Sequence, residues 1–347
     1  MNNIIQNTID IPRYPPEFQQ IITAKNHNFV GREFVFSAIN NFLHQYDRGY
    51  FTIIGEPGIG KSAIIAHYVN ENPGIVYYNV DISGKNRADE FLSNVCTQLI
   101  EIAQAKGIKN IDDNLINSTT ENSSFLSLLL QQISDKLHPE QRLIITIDGC
   151  DRIDINNQIR GSNLFYLPRY LPEKVYFILA RRPFLADKSG LLIETPSQSL
   201  DLSNYPEQNR ADIQEYIKKY IKNSSPENIH HQLIPDETNF MYVREVLTGN
   251  NLDNLIKYYQ IHWKQMFLKT SSHESMALQV LTMLVKEQPI SLETIAERLD
   301  EDEYDIKVIL DNWREFLHLE NIADEINYSL YHPHFCQWLR EKIELSE

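Results

Sequence analysis

The chain has 347 residues, 42% hydrophobic and 23% charged, enough to bury the cores of two or three domains and unlike a disordered chain. Lys and Arg number 32 against 47 Asp and Glu, a net charge of −15, which gives no general attraction for nucleic acid or an anionic membrane. Three dispersed cysteines (Cys96, Cys150, Cys336) form neither a disulfide framework nor a zinc site, which fits a reducing cytoplasm.

Prolines 12, 15 and 16 oppose a regular helix, so residues 1–27 are expected to be an extended leader. No basic segment followed by an apolar one marks a signal peptide, no run of 18 apolar residues predicts a transmembrane helix, and no internal repeat is present. From Phe29 the period changes. Phe34, Ala38, Phe42 and Tyr46 fall at helical spacing. YFTIIG (50–55) is a short apolar run ending in glycine and reads as a buried strand. A helix from Lys61 to Val69, a strand at 75–80, a helix at 87–105, a polar loop at 107–124 and a helix from Phe125 to Leu137 follow. RLIITID (142–148) and VYFILA (175–180) read as two further buried strands. Strands alternating with helices predict a parallel sheet covered on both faces. Beyond about residue 205 the segments 209–223, 237–248, 251–268, 273–286, 291–300 and 303–317 read as consecutive helices, which places a boundary near 195–205.

The sharpest motif is GEPGIGKS at 55–62, which fits G-x-x-x-x-G-K-[ST] between a predicted strand and a predicted helix. Gly55, Gly58 and Gly60 let the loop wrap with positive φ and bring backbone N–H groups to phosphate oxygens. Pro57, Ile59 and Ala63 complete the loop and the first helical turn, whose N-terminus points at the same phosphates. Lys61 supplies a cation for the β- and γ-phosphates, and the Ser62 hydroxyl can coordinate Mg²⁺. The strand 142–148 ends in Asp148, which can hold Mg²⁺ directly or through water. Asp at a strand end is common, and the preceding phosphate loop is what favours the metal reading. VYFILARRP (175–183) places Arg181 and Arg182 at the carboxyl end of a sheet strand, where ligands bind in open α/β folds. One of them can sense a γ-phosphate, and a solvated or ion-paired role is the alternative.

These segments, in this order, resemble the STAND branch of P-loop NTPases, which includes the NACHT and NB-ARC signalling ATPases and is related to AAA+ proteins. FVGRE (29–33) is similar to the segment that lines the adenine pocket there, which implicates Gly31 and Arg32. LIITIDGCD resembles the family's second acidic motif, and FILARRP its sensor strand, with Arg182 at the sensor position. NFMYVREVL (239–247) resembles the helix after the lid region. ISLETIAERL (290–299), DIKVILDNWREFL (305–317) and INYSLYHPHF (326–335) resemble a winged helix. HPHFCQWL (332–339) places His332 at the histidine that reaches the β-phosphate of ADP in the family, with His334 as its rival. The resemblance covers about residues 28–345.

Two departures stand out. Arg152 occupies the position of a carboxylate that often polarises the attacking water, which puts rapid hydrolysis in question; Asp151 is the candidate substitute. The effector and sensor domains usual in the family are missing from the sequence. Either the chain is the switch module of a longer protein, or those parts are separate chains.

Other features weigh less. The candidate recognition helix at 301–317 opens with Glu301, Asp302, Glu303 and Asp305, which disfavours DNA binding. His230 and His231 lack a partner spacing for metal. Cys150 reads as a small buried residue and Trp263, Trp313 and Trp338 as core or interface anchors.

The expected architecture is an extended leader (1–27), a three-layer P-loop α/β domain (28–200), a helical lid (201–270) and a winged helix (271–347). The expected function is a cytoplasmic ATP/ADP- and Mg²⁺-dependent switch with slow hydrolysis. Protein partners or self-association would follow activation, without nucleic acid or membrane. The alternatives are an AAA-type mechanochemical ATPase and a non-hydrolysing ADP-bound scaffold. Nothing in the residues selects ATP over GTP.

Overall fold

A computed structural model describes residues 14–108, 123–154, 158–159, 162–183, 191–223, 237–248, 252–269, 274–322 and 325–344. The chain divides into two compact units. The first comprises residues 1–55, 60–182 and 189–222; the second comprises 56–59, 183–188 and 223–347.

The first unit is built on a five-stranded parallel sheet, the arrangement of a P-loop α/β NTPase. In chain order its strands are β1 (Gly49–Ile54), β2 (Val76–Asn79), β3 (Leu143–Asp148), β4 (Val175–Arg181) and β5 (Ser197–Asp201). They lie in the order β2-β3-β4-β1-β5. Tyr50, Phe51 and Ile53 of β1, Leu143, Ile145 and Ile147 of β3, and Val175 through Ala180 of β4 are buried. Burial of successive residues means both faces are covered, which is why these strands read as unbroken apolar runs. β5 carries SQSLD, with Leu200 its one buried residue. That exposed edge strand has no apolar signature and escapes a reading by hydrophobic pattern.

Among the described residues five helices precede or intersperse the strands: α1 (Pro16–Asn26), α2 (Glu33–Gln45), α3 (Lys61–Glu71), α4 (Ala88–Ala105) and α5 (Ser123–Ser134). α1 corrects the expectation of an extended leader across 14–27. Pro16 sits in its first turn, where a missing N–H costs nothing and a fixed φ suits the helix. Phe18 and Ile22 are buried along one side, each stabilising by about 2 kcal/mol. Phe18 meets the rings of Tyr77 and Tyr78 edge-on at 5.5 Å, and the Tyr14 hydroxyl donates to the Ile75 carbonyl at 2.6 Å.

The first unit continues past residue 200 through α6 (Pro206–Asn223). A buried polar clamp explains why. Arg32, 1% exposed, begins α2 with φ of 69° and hydrogen-bonds Asn209. Its backbone N–H donates to Asp212 at 3.2 Å, and its guanidinium lies 3.6 Å from the same carboxylate.

The second unit contains α7 (Phe240–Thr248), α8 (Asp253–Lys269), α9 (Glu274–Lys286), α10 (Leu292–Leu299), α11 (Glu303–Asn312) and α12 (Pro333–Glu344). A three-stranded antiparallel sheet, order β6-β8-β7, joins β6 (Ile290–Ser291), β7 (Leu317–Ile322) and β8 (Glu325–Leu330). The helix expected over 303–317 stops at Asn312. A 3-10 turn at Arg314–Phe316 then leads into β7, whose outer half is exposed. Trp313, Phe316, Tyr331, Phe335 and Trp338 are buried together, with Phe316 stacked on Phe335 at 4.8 Å. Trp263 meets Trp313 edge-on at 5.8 Å, so all three tryptophans join this aromatic core.

Candidate nucleotide site

The parallel register lines up the polar ends of the strands. Asn79 pairs with Asp148, Asp148 with Ala180, and Ile54 with both Arg181 and Asp201. β1 runs directly into the glycine-rich loop, and α3 leaves that loop to pack against β3 and β4. This path brings Ser62, in the first turn of α3, to Asp148 although β1 and β3 are not neighbours. The Ser62 hydroxyl hydrogen-bonds the Asp148 carboxyl.

Asp148 is 2% exposed. Burial, reinforced by the negative charge of Asp81, pushes its pKa up to about 6; Ser62, Lys25 and Lys61 pull the other way. Asn79 Nδ2 donates to Asp148 at 3.0 Å and to the Tyr77 hydroxyl at 3.0 Å. Two acidic groups crowded beside a hydroxyl form an oxygen-donor site with excess negative charge, which fits a small hard cation such as Mg²⁺. Among the described residues no group of three or more His, Cys, Asp or Glu could hold a metal ion. A cation here would take Ser62 and Asp148 and complete its shell with water and phosphate oxygens.

Within the loop, the carbonyl groups are turned to other partners. Lys61 Nζ donates to the Gly55 carbonyl at 2.6 Å, and the Ala63 and Ile64 N–H groups both donate to Gly60 at 3.0 Å. Asn239 Nδ2 donates to Pro57 at 2.9 Å, and the Met241 N–H donates to Gly58 at 3.2 Å. Ile59, 5% exposed, seats the loop in the core. Gly58 has φ of 85°, and a Cβ there would lie 2.2 Å from Asn239 Oδ1, so this glycine is required both by conformation and by space. With carbonyls directed away, the face the loop can offer a ligand is its N–H face.

Asp151 and Arg182 come together. The Arg182 N–H donates to Asp151 Oδ1 at 2.9 Å and its Nε lies 3.2 Å from Oδ2, with both side chains nearly buried. Arg152 pairs instead with Asp81 at 3.0 Å. Arg181 is partly buried, which lowers its pKa, and donates to the Arg182 carbonyl at 3.1 Å. Gly31 and Arg32 belong to the clamp on α6. A Cβ at Gly31 would meet Asp212 Oδ1 at 2.0 Å.

In the second unit, His332 is 5% exposed and faces Glu237 at 3.1 Å. The His334 N–H donates to His332 Nδ1, so the proton of a neutral His332 sits on Nε2 and points at Glu237. Burial, then the neighbouring His332, lowers the pKa of His334. Glu56, in the loop, pairs with His318 of β7. Cys150 is buried, which pushes its thiol up. His230 and His231 lie outside the described residues.

Sequence reasoning passed over Asn79, Asp81, Asn209, Asp212, Glu237, Asn239 and His318. The signal for Asn79 and Asp81 was available, since both follow an apolar run at the carboxyl end of a parallel strand. The others are joined to their partners only by long-range packing.

Residues 28–178 match the family model described as the AAA ATPase domain. No curated protein matches the chain. Among solved structures, it is similar to a STAND protein with a tetratricopeptide repeat sensor from Pyrococcus horikoshii, at 19% identity and TM-score 0.33. That likeness covers 90% of this chain and 42% of the other, so the chain spans less than half of its length. A RuvB mutant from Thermotoga maritima matches at 11% identity and TM-score 0.29, covering 94% and 97% of the two chains. A Drosophila ORC structure bound to GC-rich DNA and Cdc6 matches at 10% identity and TM-score 0.31, covering 97% and 100%. Among the described residues no helix is long and apolar enough to cross a membrane.

Proposed function

We propose that this protein is an ATP/ADP-dependent molecular switch of the STAND type, binding nucleotide with Mg²⁺ and hydrolysing it slowly. The observation that carries the reading is the joined phosphate loop and acidic strand. Gly55–Ser62 turns its carbonyls to internal partners, and Ser62 is bonded to the buried Asp148. The match of residues 28–178 to the AAA ATPase domain supports nucleotide as the ligand. Lys61 would neutralise the β- and γ-phosphates, and bound Mg²⁺ would supply charge compensation between them. Asp148 would exchange its burial cost for a cation, and Arg182, held by Asp151, is the group that would read the γ-phosphate.

We read the α7–α8 region as the lid and α9–α12 with the β6-β8-β7 sheet as a winged helix. Turning such a switch from mostly closed to mostly open needs about 5.5 kcal/mol of differential binding. A few charge-assisted hydrogen bonds supply that amount. The outcome would be self-association or partner binding in signalling or defence.

A non-hydrolysing, ADP-retaining scaffold is the second reading. It is favoured by Asp151 being engaged by Arg182 and by Arg152 standing where a carboxylate would polarise water. Denaturing the purified protein and identifying the released nucleotide by chromatography tests both. Stoichiometric ADP supports a retained-nucleotide protein, and turnover of added ATP then separates slow switch from scaffold. Rapid turnover in a stable hexamer would instead indicate a mechanochemical ATPase.

A further inference from the structure

A phosphate-binding loop must aim its N–H groups at the ligand, so each carbonyl it turns away needs another donor. Two of these carbonyls, Pro57 and Gly58, are served by one short segment, residues 239–241, of the same compact unit. Asn239 Nδ2 donates to Pro57 at 2.9 Å, and the Met241 N–H donates to Gly58 at 3.2 Å. The same Asn239 side chain caps α7, its Oδ1 accepting from the Met241 and Tyr242 N–H groups at 3.1 Å. Its two ends therefore do different things. The oxygen starts the helix and the nitrogen holds the loop.

Asn239 is itself fixed from behind. Glu237 Oε1 accepts from the Thr238 and Asn239 N–H groups at 2.9 and 2.7 Å, while Oε2 takes His332 Nε2 at 3.1 Å. Glu237, Asn239 and His332 are all buried. In a low-dielectric setting such a chain shifts together, because each member has few alternative partners.

We propose that Asn239 is a positioning residue of the phosphate loop, and that Glu237 ties this anchor to His332, so that loop-tip geometry and the histidine are set together. The proposal rests on the nucleotide-binding reading above and adds to it how the loop is held and where its state is transmitted. A nucleotide that rearranges Pro57 and Gly58 would pull on Asn239, and through Glu237 change the hydrogen bond that commits the Nε2 proton of His332.

Two substitutions separate the loop contact from the helix cap. Asn239→Asp and Asn239→Ser both keep an oxygen suited to capping α7. Aspartate cannot donate to Pro57, and the shorter serine cannot span the distance. Titration with a fluorescent ADP should give a dissociation constant raised at least tenfold in both variants. The nucleotide-free melting temperature of Asn239→Ser should fall by only a few degrees, the loss expected for one buried hydrogen bond. In the wild type, ADP should also move the imidazole nitrogen resonances of His332, and in Asn239→Ser it should not. ADP affinity within twofold of wild type in the folded Asn239→Ser protein overturns the positioning role; Asn239→Ser decides if the charged variant fails to fold. Unmoved His332 resonances in ADP-saturated wild type overturn the coupling. A wild-type protein that binds no nucleotide sinks the functional reading as well, which distinguishes the two failures.

Discussion

Asp151 holds Arg182 at two points, through its backbone N–H at 2.9 Å and its guanidinium at 3.2 Å. The candidate water-polarising acid and the candidate phosphate-sensing arginine are therefore partners. A nearly buried ion pair is costly to break from one side, because the remaining charge is left without compensation. Either Asp151→Ala or Arg182→Ala should cost about 3 kcal/mol. The double substitution should cost clearly less than the sum, as read by urea unfolding in a double-mutant cycle. Strict additivity would mean the pair contributes nothing.

Asp148 makes stability fall as pH rises. Its folded pKa of about 6 lies above the ordinary 3.8, so the fold prefers the neutral acid. The contribution is fully present below pH 3.8 and is lost as pH climbs through about 6. Its full size is about 3 kcal/mol. Asn resembles the neutral acid, so Asp148→Asn in nucleotide-free protein should match wild type near pH 4 and exceed it by about that amount above pH 7. Parallel pH–stability curves for the two proteins would contradict this.

Glu56 and His318 give a second pH signature, of the cationic kind. Burial lowers the His318 pKa, but the hydrogen bond and charge of Glu56 raise it more, and the net shift is upward from 6.5. The stabilisation is thus complete below about pH 6.5 and is lost as pH rises through the folded value. Glu56→Gln should flatten the pH dependence of the melting temperature in that window. A slope unchanged by the substitution would remove the pair from consideration.

Lys61 donates to the Gly55 carbonyl, a neutral acceptor, at 2.6 Å. Lys61→Ala should therefore lower stability by only about 1 kcal/mol while abolishing nucleotide binding. Calorimetric titration of a folded Lys61→Ala protein with ADP checks this, and undiminished affinity would refute the phosphate site.

Gly31 is pressed against the carboxylate of Asp212, with φ of 64°. Gly31→Ala must push Asp212 off Arg32 and strain the backbone as well, a loss of about 3 kcal/mol. Guanidinium denaturation reads it directly. A near-neutral effect would mean that the clamp on α6 yields easily.

The buried sheet was legible because β1, β3 and β4 are covered on both faces and read as apolar runs. The phosphate loop was legible because its residue types are dictated by local backbone geometry and by phosphate. β5 was not, since one apolar residue in five leaves no pattern, and neither was β7 beyond Leu317, because its outer half is exposed. The leader expectation failed because a proline count ignores position: Pro16 begins a helix as readily as an interior proline ends one. Asp148 was recognised by its place after a strand. Asn79 and Asp81 sit at the end of an apolar run in the same way, but that they face Asp148 depends on β2 and β3 being neighbours, which neither segment encodes alone. Asn239 stands far from Pro57 in sequence, and only the folded chain brings its amide to that carbonyl.

The first recognisable motif, FVGRE, begins at Phe29, and a shortened version of the protein would naturally be cut there. That cut would remove α1. Tyr77 and Tyr78, on the outermost strand of the sheet, would lose the ring of Phe18 and turn an aromatic surface to water. Asp148 would lose the positive charge of Lys25, which helps keep it ionised. The boundary marked by the motif is therefore not the boundary of the folding unit, and a fragment that starts at Phe29 should clump before its nucleotide chemistry could be assayed.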